Sequence, residues 1–284
     1  MWIEQLYKTM SSILKIMLFA RKYRCSAKPA HQAAVILGNG PSLSEMITKN
    51  LEFLNYKDIY AVNFFALSPN YLSIKPSNYV MIDFTFYYDN IWDEKLRAKR
   101  ELLWGNIKDL TNWDMTIYLP HKAKSENNWK AFVNGNKHIR IQYINVLAIE
   151  GFKAFRNFGF SKMLGMPRPH NVIVPSLMIA LNKKYKKIFL WGVDHSWTQH
   201  LQVDDTNKVL INFPHFYDSA PQKPGVFYFK NTPAAKLHQV LYTLKCTFES
   251  YFIIREFAEK LGVAIVNQTK GSMIDAFERD YLSE

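Results

Sequence analysis

Cysteine is nearly absent: Cys25 and Cys246 are the only two in 284 residues. Two thiols cannot build a disulfide framework, which excludes a small secreted scaffold held by staples and makes a reducing compartment the expectation. Long apolar runs are missing as well, so no segment has the roughly 20 apolar residues that cross a bilayer as a helix. Internal repeats and low-complexity tracts are absent, which excludes solenoids and fibrous arrays. Acidic residues are outnumbered, 24 Asp plus Glu against 36 Lys plus Arg, for a formal net charge of +12. Such a balance implies an anionic partner: nucleic acid, a phosphorylated small molecule or an acidic membrane surface. Aromatic residues make up 15% of the chain. They are dispersed and not interleaved with arginine in one stripe, which argues against nucleic acid. With 48% hydrophobic residues the chain is long and apolar enough to bury a core unaided.

Residues 1–28 read apart from the remainder, 29–284. Trp2, Ile3, Leu6, Met10, Ile13, Leu14, Met17 and Leu18 recur at helical spacings of three and four. Lys8, Lys15, Arg21, Lys22, Arg24 and Lys28 accompany a single acid, Glu4, so +5 of the net charge lies here and +7 is spread over the rest. Lys8 and Lys15 interrupt any signal-peptide core. Two readings stand side by side. One is a basic amphipathic helix lying on an anionic membrane, with Arg21–Arg24 at the headgroups, which would make the protein peripheral on the inner face of the cytoplasmic membrane. The other is an ordinary helix whose apolar stripe packs on the domain or on a second copy in a homo-oligomer.

From Ala33 the pattern is α/β. Ala33–Leu37 is an apolar run of the kind a strand buried on both faces shows, and it ends in Gly38-Asn39-Gly40-Pro41-Ser42 before a helix from Leu43. Further strands are expected at 58–63, 78–83, 116–119, 187–194 and 263–267, and helices at 93–103, 175–181 and 234–261, the last stopped by Gly262. Residues 121–160 show no clear periodicity. Residues 195–232, with Pro214, Pro221 and Pro224, read as a long irregular loop of the kind that forms a lid. Strands alternating with helices predict an α/β domain around a mainly parallel sheet.

Ligands of such sheets bind beyond the carboxyl ends of the strands. Gly38–Ser42, Asn63, Asp83, Asp194–Trp197 and Asn267–Gly271 stand at those ends, all polar or glycine-rich. The glycine turn would let a ligand approach the backbone and aim helix amides at an anion. It lacks the third glycine of a dinucleotide fingerprint and the lysine of a P-loop, so nicotinamide and P-loop chemistry are disfavoured. Asp194, His195, Ser196 and Trp197 place a carboxylate, an imidazole, a hydroxyl and a stacking ring together. His215, in the run Pro214–Asp218, is a candidate general base on the loop. His195 and His200 with Asp204 and Asp205 have a metal-like spacing, but no helix face orders them and no metal site is assigned.

The run Val35–Leu43 resembles the opening of the bacterial CMP-sialic-acid-dependent sialyltransferases that decorate lipooligosaccharide. It equally resembles a wider group related to 6-hydroxymethylpterin diphosphokinase, which includes motility-associated glycosyltransferases. Ala61–Phe65, Tyr185–Asp194 and Asn267–Ile274 resemble that family's later segments in the same order, the last as a final strand and following helix. The resemblance implies a metal-independent, inverting transfer of an acidic sugar (sialic acid, Kdo or a related nonulosonate) from a CMP-linked donor to a cell-surface glycan or lipid-linked glycan. It implies no cofactor, the CMP-sugar being a substrate. It places the base at His215, with His195 as rival, since His195 stands where the family has a tyrosine. It implies a single Rossmann-like domain, a GT-A-like variant, with a lid over the donor. Taken with the strand-end residues above, donor binding falls to Gly38, Asn39, Gly40, Pro41, Ser42, Asn63, Asp83, Arg168, His170, Asn171, Asp194, Ser196, Trp197 and Tyr217. The alternative within the same resemblance is an ATP- and magnesium-dependent diphosphokinase, with Asp83 and Asp194 near the phosphates. A basic nucleic-acid-binding domain ranks last.

Overall fold

The structure is a computed structural model that describes residues 2–23, 28–91, 93–217, 224–228 and 233–282. Arg24, Cys25, Asp218 and Pro221, singled out above, lie outside the described residues, as does part of 195–232. In chain order the elements are α1 (Trp2–Phe19), β1 (Ala33–Leu37), α2 (Leu43–Asn50), β2 (Asp58–Val62), α3 (Tyr71–Ile74), β3 (Asn78–Val80), α4 (Glu94–Leu110), β4 (Met115–Pro120), α5 (Asn128–Val133) and β5 (Ile139–Ile144). There follow α6 (Lys153–Ser161), α7 (Ile173–Lys183), β6 (Lys187–Trp191), β7 (Gln202–Val203), β8 (Val209–Ile211), β9 (Gly225–Val226), α8 (Leu237–Leu261), β10 (Ala264–Asn267) and β11 (Glu278–Arg279).

Eight strands form one parallel sheet in the order β11-β10-β6-β1-β2-β3-β4-β5. The chain builds outward from β1 to β5 and then returns with β6 on the other side of β1. The strand order reverses between β1 and β6, and the crevice beyond their carboxyl ends is the place where such sheets bind ligands. Burial on both faces explains the apolar strands. In β1, Ala34 and Ile36 join one core with Leu177, Tyr251 and Phe257 of α7 and α8; Val35 and Leu37 join the other with Leu43, Trp104 and Ile107 of α2 and α4. Helix α4 begins at Asp93, whose carboxylate accepts the Leu96 amide at 3.1 Å. Gly262 ends α8 at φ +67°.

Residues 121–160, which show no clear periodicity in the sequence, carry α5, β5 and α6. Two expectations are corrected. The segment 195–232 is not an irregular loop. Among its described residues are a 3₁₀ turn at Ser196–His200 and the antiparallel sheet β7-β8-β9, with a small core of Val209, Ile211, Ala235, Val240 and Leu244. No helix follows β10 among the described residues; a turn tied by Asn267 and Ser272 leads to β11.

Candidate functional site

A cleft of about 730 Å³ opens beyond the carboxyl ends of β1, β2, β3 and β6. Thirteen of the sixteen residues proposed from the sequence line it: Gly38, Asn39, Gly40, Pro41, Asn63, Asp83, His170, Asn171, Asp194, His195, Ser196, Trp197 and His215. Ser42, Arg168 and Tyr217 do not.

Its floor is two strand-end turns laced together. Gly38 N donates to Trp191 O at 2.7 Å and Gly40 N to Gly192 O at 2.8 Å. A Cβ on Gly38 would overlap the Gly192 carbonyl, and one on Gly40 would lie 2.7 Å from both Asp194 Cγ and Gly192 O. The glycines therefore admit the neighbouring turn, whereas the sequence reading assigned that freedom to a ligand's approach. The Asp194 carboxylate accepts from Ser42 N at 3.2 Å and Ser42 Oγ at 2.8 Å. The protein's own anion thus occupies the start of α2, where the sequence reading placed a donor phosphate. Burial raises the Asp194 pKa, against the lowering effect of the two Ser42 bonds. Asp83 is similarly engaged, accepting from Thr85 N at 2.8 Å.

His195 is 7% exposed and adopts φ +52°. Its Nε2 lies 2.6 Å from the Tyr251 hydroxyl, which donates to Asn171 Oδ1 at 3.2 Å. Asn171 Oδ1 also accepts the Ile173 and Val174 amides, at 2.8 and 3.2 Å, which fixes it as the oxygen. The Tyr251 hydroxyl thereby links Asn171 to the His195 ring. Burial pushes the His195 pKa down to about 3. The ring packs on Trp197 with centroids 4.1 Å apart.

His215 sits at the other wall. The amide of the next residue, Phe216, donates to Asn39 O at 3.0 Å, and the Phe216 ring packs 5.7 Å from Phe65. This pins the segment carrying His215 to the glycine turn. Tyr217 stacks on His215 at 5.1 Å, with Lys99 Nζ 5.4 Å over its ring. Arg168 is turned away from the cleft: its guanidinium grips Glu150 in bonds of 3.0 to 3.1 Å and donates to the Tyr242 hydroxyl at 2.8 Å.

Three residues that line this cleft each carry a buried side-chain atom without a hydrogen-bond partner: Asn39 Oδ1, Asn63 Oδ1 and Asn171 Nδ2. Asn39 spends its Nδ2 on Val62 O at 3.0 Å. Asn63 is held at φ +51° with its carbonyl accepting from Tyr79 at 2.6 Å. Among the described residues no group of three or more His, Cys, Asp or Glu could hold a metal ion. His200, Asp204 and Asp205 do not converge: Asp204 accepts from Thr206 and Lys208 in an exposed turn.

Sequence reasoning missed the cleft's apolar wall. Phe84 and Tyr87 follow β3, and Val240, Thr243, Leu244 and Thr247 come from one face of α8. The spacing of three, one and three in that last set was the available signal.

No family model and no curated protein matches the sequence. Among solved structures, the chain is similar to a MAf glycosyltransferase from Magnetospirillum magneticum AMB-1, with a TM-score of 0.50 and 14% identity over 92% of this chain. It spans 35% of that protein's length. At that identity the likeness shows the fold: a mainly parallel α/β sheet with flanking helices, shared with a glycosyltransferase structure.

Proposed function

We propose that this chain is a glycosyltransferase moving an acidic sugar from a CMP-activated donor to a glycan hydroxyl, with His215 as general base and without a metal ion. The observation that carries the reading is the set of three buried, unpartnered amide atoms, Asn39 Oδ1, Asn63 Oδ1 and Asn171 Nδ2, on residues that line the cleft at the strand-order reversal. A buried polar atom without a partner is costly, so a ligand bearing both donors and acceptors is what this cleft is built to take. A nucleobase and ribose supply both. The family resemblance and the fold shared with a glycosyltransferase support the same class.

In the proposed step, His215 takes the proton of the acceptor hydroxyl as its oxygen bonds to the anomeric carbon. The bond from that carbon to the CMP phosphate oxygen breaks on the opposite face, CMP leaves with the electron pair, and the anomeric carbon is inverted. CMP is a good leaving group, so the protein's task is positioning and one proton transfer. His195 is unsuited as the base: a ring with a pKa near 3 is a weak proton acceptor, and its Nε2 is engaged by the Tyr251 hydroxyl. It serves instead as a neutral, fixed wall of the donor site.

Titration with CMP, ATP and GTP, each with magnesium and with chelator, tests the reading. Saturable CMP binding that survives chelation is expected. Binding of ATP with magnesium and no response to CMP would overturn it in favour of phosphotransfer.

A further inference from the structure

The way α1 sits on the domain reverses the usual order of an amphipathic helix. Its one fully buried side chain is polar: Ser12, 1% exposed, accepts the Glu150 amide at 2.9 Å. Thr9 Oγ1 accepts the Phe152 amide at 3.0 Å. Between them Gly151, at φ +108°, admits the helix backbone; a Cβ there would lie 2.7 Å from Thr9 Cα. Just past the helix the Asn145 side chain clasps the Arg21 backbone on both sides, at 2.8 and 2.7 Å. The helix is thus anchored through Thr9 and Ser12, with Ile16 packed on the core and the Trp2 ring 5.9 Å from Phe152.

The apolar face points outward. Ile3, Tyr7, Met10, Leu14, Met17 and Leu18 are 54 to 78% exposed. At about 100° per residue, the apolar residues from Trp2 to Leu18 other than Ile16 fill an arc of roughly 160°. A two-helix seam covers a narrower stripe than that. No helix among the described residues is long and apolar enough to cross a membrane. Exposed Arg21 and Lys22 follow the helix in the chain, and residues 1–28 carry +5. A second copy docked on this face would bring two such positive segments together. An anionic lipid surface complements both the charge and the width of the face.

We propose that α1 is a membrane-docking helix, anchored to the domain through Thr9, Ser12 and Arg21 and laying its apolar face into an anionic bilayer. The proposal stands independently of the donor assigned above. Its docking loop includes Val146 of the cleft wall and Glu150, which grips Arg168 two residues before His170. The cleft and the bilayer-facing helix therefore share one loop.

Co-sedimentation of the whole chain with vesicles tests this, using phosphatidylcholine alone and phosphatidylcholine with one-third phosphatidylglycerol. Binding to the anionic vesicles that weakens at least tenfold in Met10→Ser/Leu14→Ser/Met17→Ser is expected, because these side chains are exposed and their loss leaves the core intact. Binding to neutral vesicles should be weaker than to anionic ones. CMP binding serves as an independent readout and should be unchanged in the triple variant. Equal sedimentation of both forms, or none with anionic vesicles, would overturn the proposal. A dimer in solution that the triple variant converts to monomer, with no vesicle binding in either form, would assign the face to a second copy and overturn it as well.

Discussion

Acid should loosen this protein through one imidazole. His195 has its pKa pushed down to about 3 by burial, against about 6.5 for the ring in an unfolded chain. A folded pKa below the unfolded one means that the unfolded chain binds the extra proton as pH falls. Stability from this group is therefore intact above pH 6.5 and drains away between 6.5 and 3. At pH 5 the ring is 1.5 units below its unfolded pKa, and at 1.36 kcal/mol per unit the loss is about 2 kcal/mol relative to pH 7.5. For large domains this reads as a fall of roughly 4 to 8 °C in melting temperature. The comparison variant is His195→Asn, since asparagine tolerates the positive φ of +52° that the site demands. The His195→Asn variant will melt lower at pH 7.5, because the contacts of the ring with Trp197 and Tyr251 are gone. The quantity of interest is the difference between the two pH values. Scanning calorimetry at pH 7.5 and 5.0 should show the wild type losing about 2 kcal/mol more than the variant. Equal losses would refute the buried, neutral histidine and the hydrogen-bond relay built on it.

Other outcomes follow from the same contacts. His215→Ala should abolish transfer while leaving CMP affinity nearly intact; a variant that still turns over would remove His215 from the base role. Gly40→Ala forces a methyl against the Asp194 carboxylate and should cost about 1 to 3 kcal/mol, read as a lowered thermal midpoint. Gly151→Val places a branched side chain against Thr9 and should detach α1, seen as rapid proteolysis within residues 2–23 while the remaining domain stays resistant. Asn63→Gly, which tolerates the positive φ of +51° and removes the unpartnered Oδ1, should lower CMP affinity by about tenfold by calorimetry, the size of one lost hydrogen bond to a ligand.

How far the sequence could be read depended on whether an element's signal was local. Ala33–Leu37 and Lys187–Trp191 are buried on both faces, so an uninterrupted apolar run marks each of them. Edge strand β5 reads Ile-Arg-Ile-Gln-Tyr-Ile, and only its last residue is fully buried. Its alternation was there, diluted by flanking polar and aromatic residues. Strands β7 and β9 have two residues each, too short for any period, and exist because Val209 and Ile211 pack against α8. The strand ends were legible because polar residues terminating apolar strands are unusual, and most of them converge on the cleft. Arg168 was misplaced because a charged residue near a helix start looks the same whether it meets a ligand or, as here, a glutamate 18 residues upstream. The orientation of α1 was not legible at all. Its stripe shows two faces, but Glu150, Gly151 and Phe152, some 140 residues away, decide which one is covered.

The position of the cleft has a consequence for synthesis. The first wing of the sheet, β1 to β5, is complete by Ile144, yet the cleft needs β6 beside β1. At ribosomal rates of about 5 to 20 residues per second, the 154 residues from Leu37 to Trp191 take roughly 8 to 30 seconds to emerge. During that interval the unpaired backbone edge of β1 lies open while α1, which precedes β1 in the chain, is already outside the ribosome. A nascent chain in this state has an exposed strand edge and an exposed apolar helix together, and early capture of the helix by another surface would keep the two apart until the strand arrives.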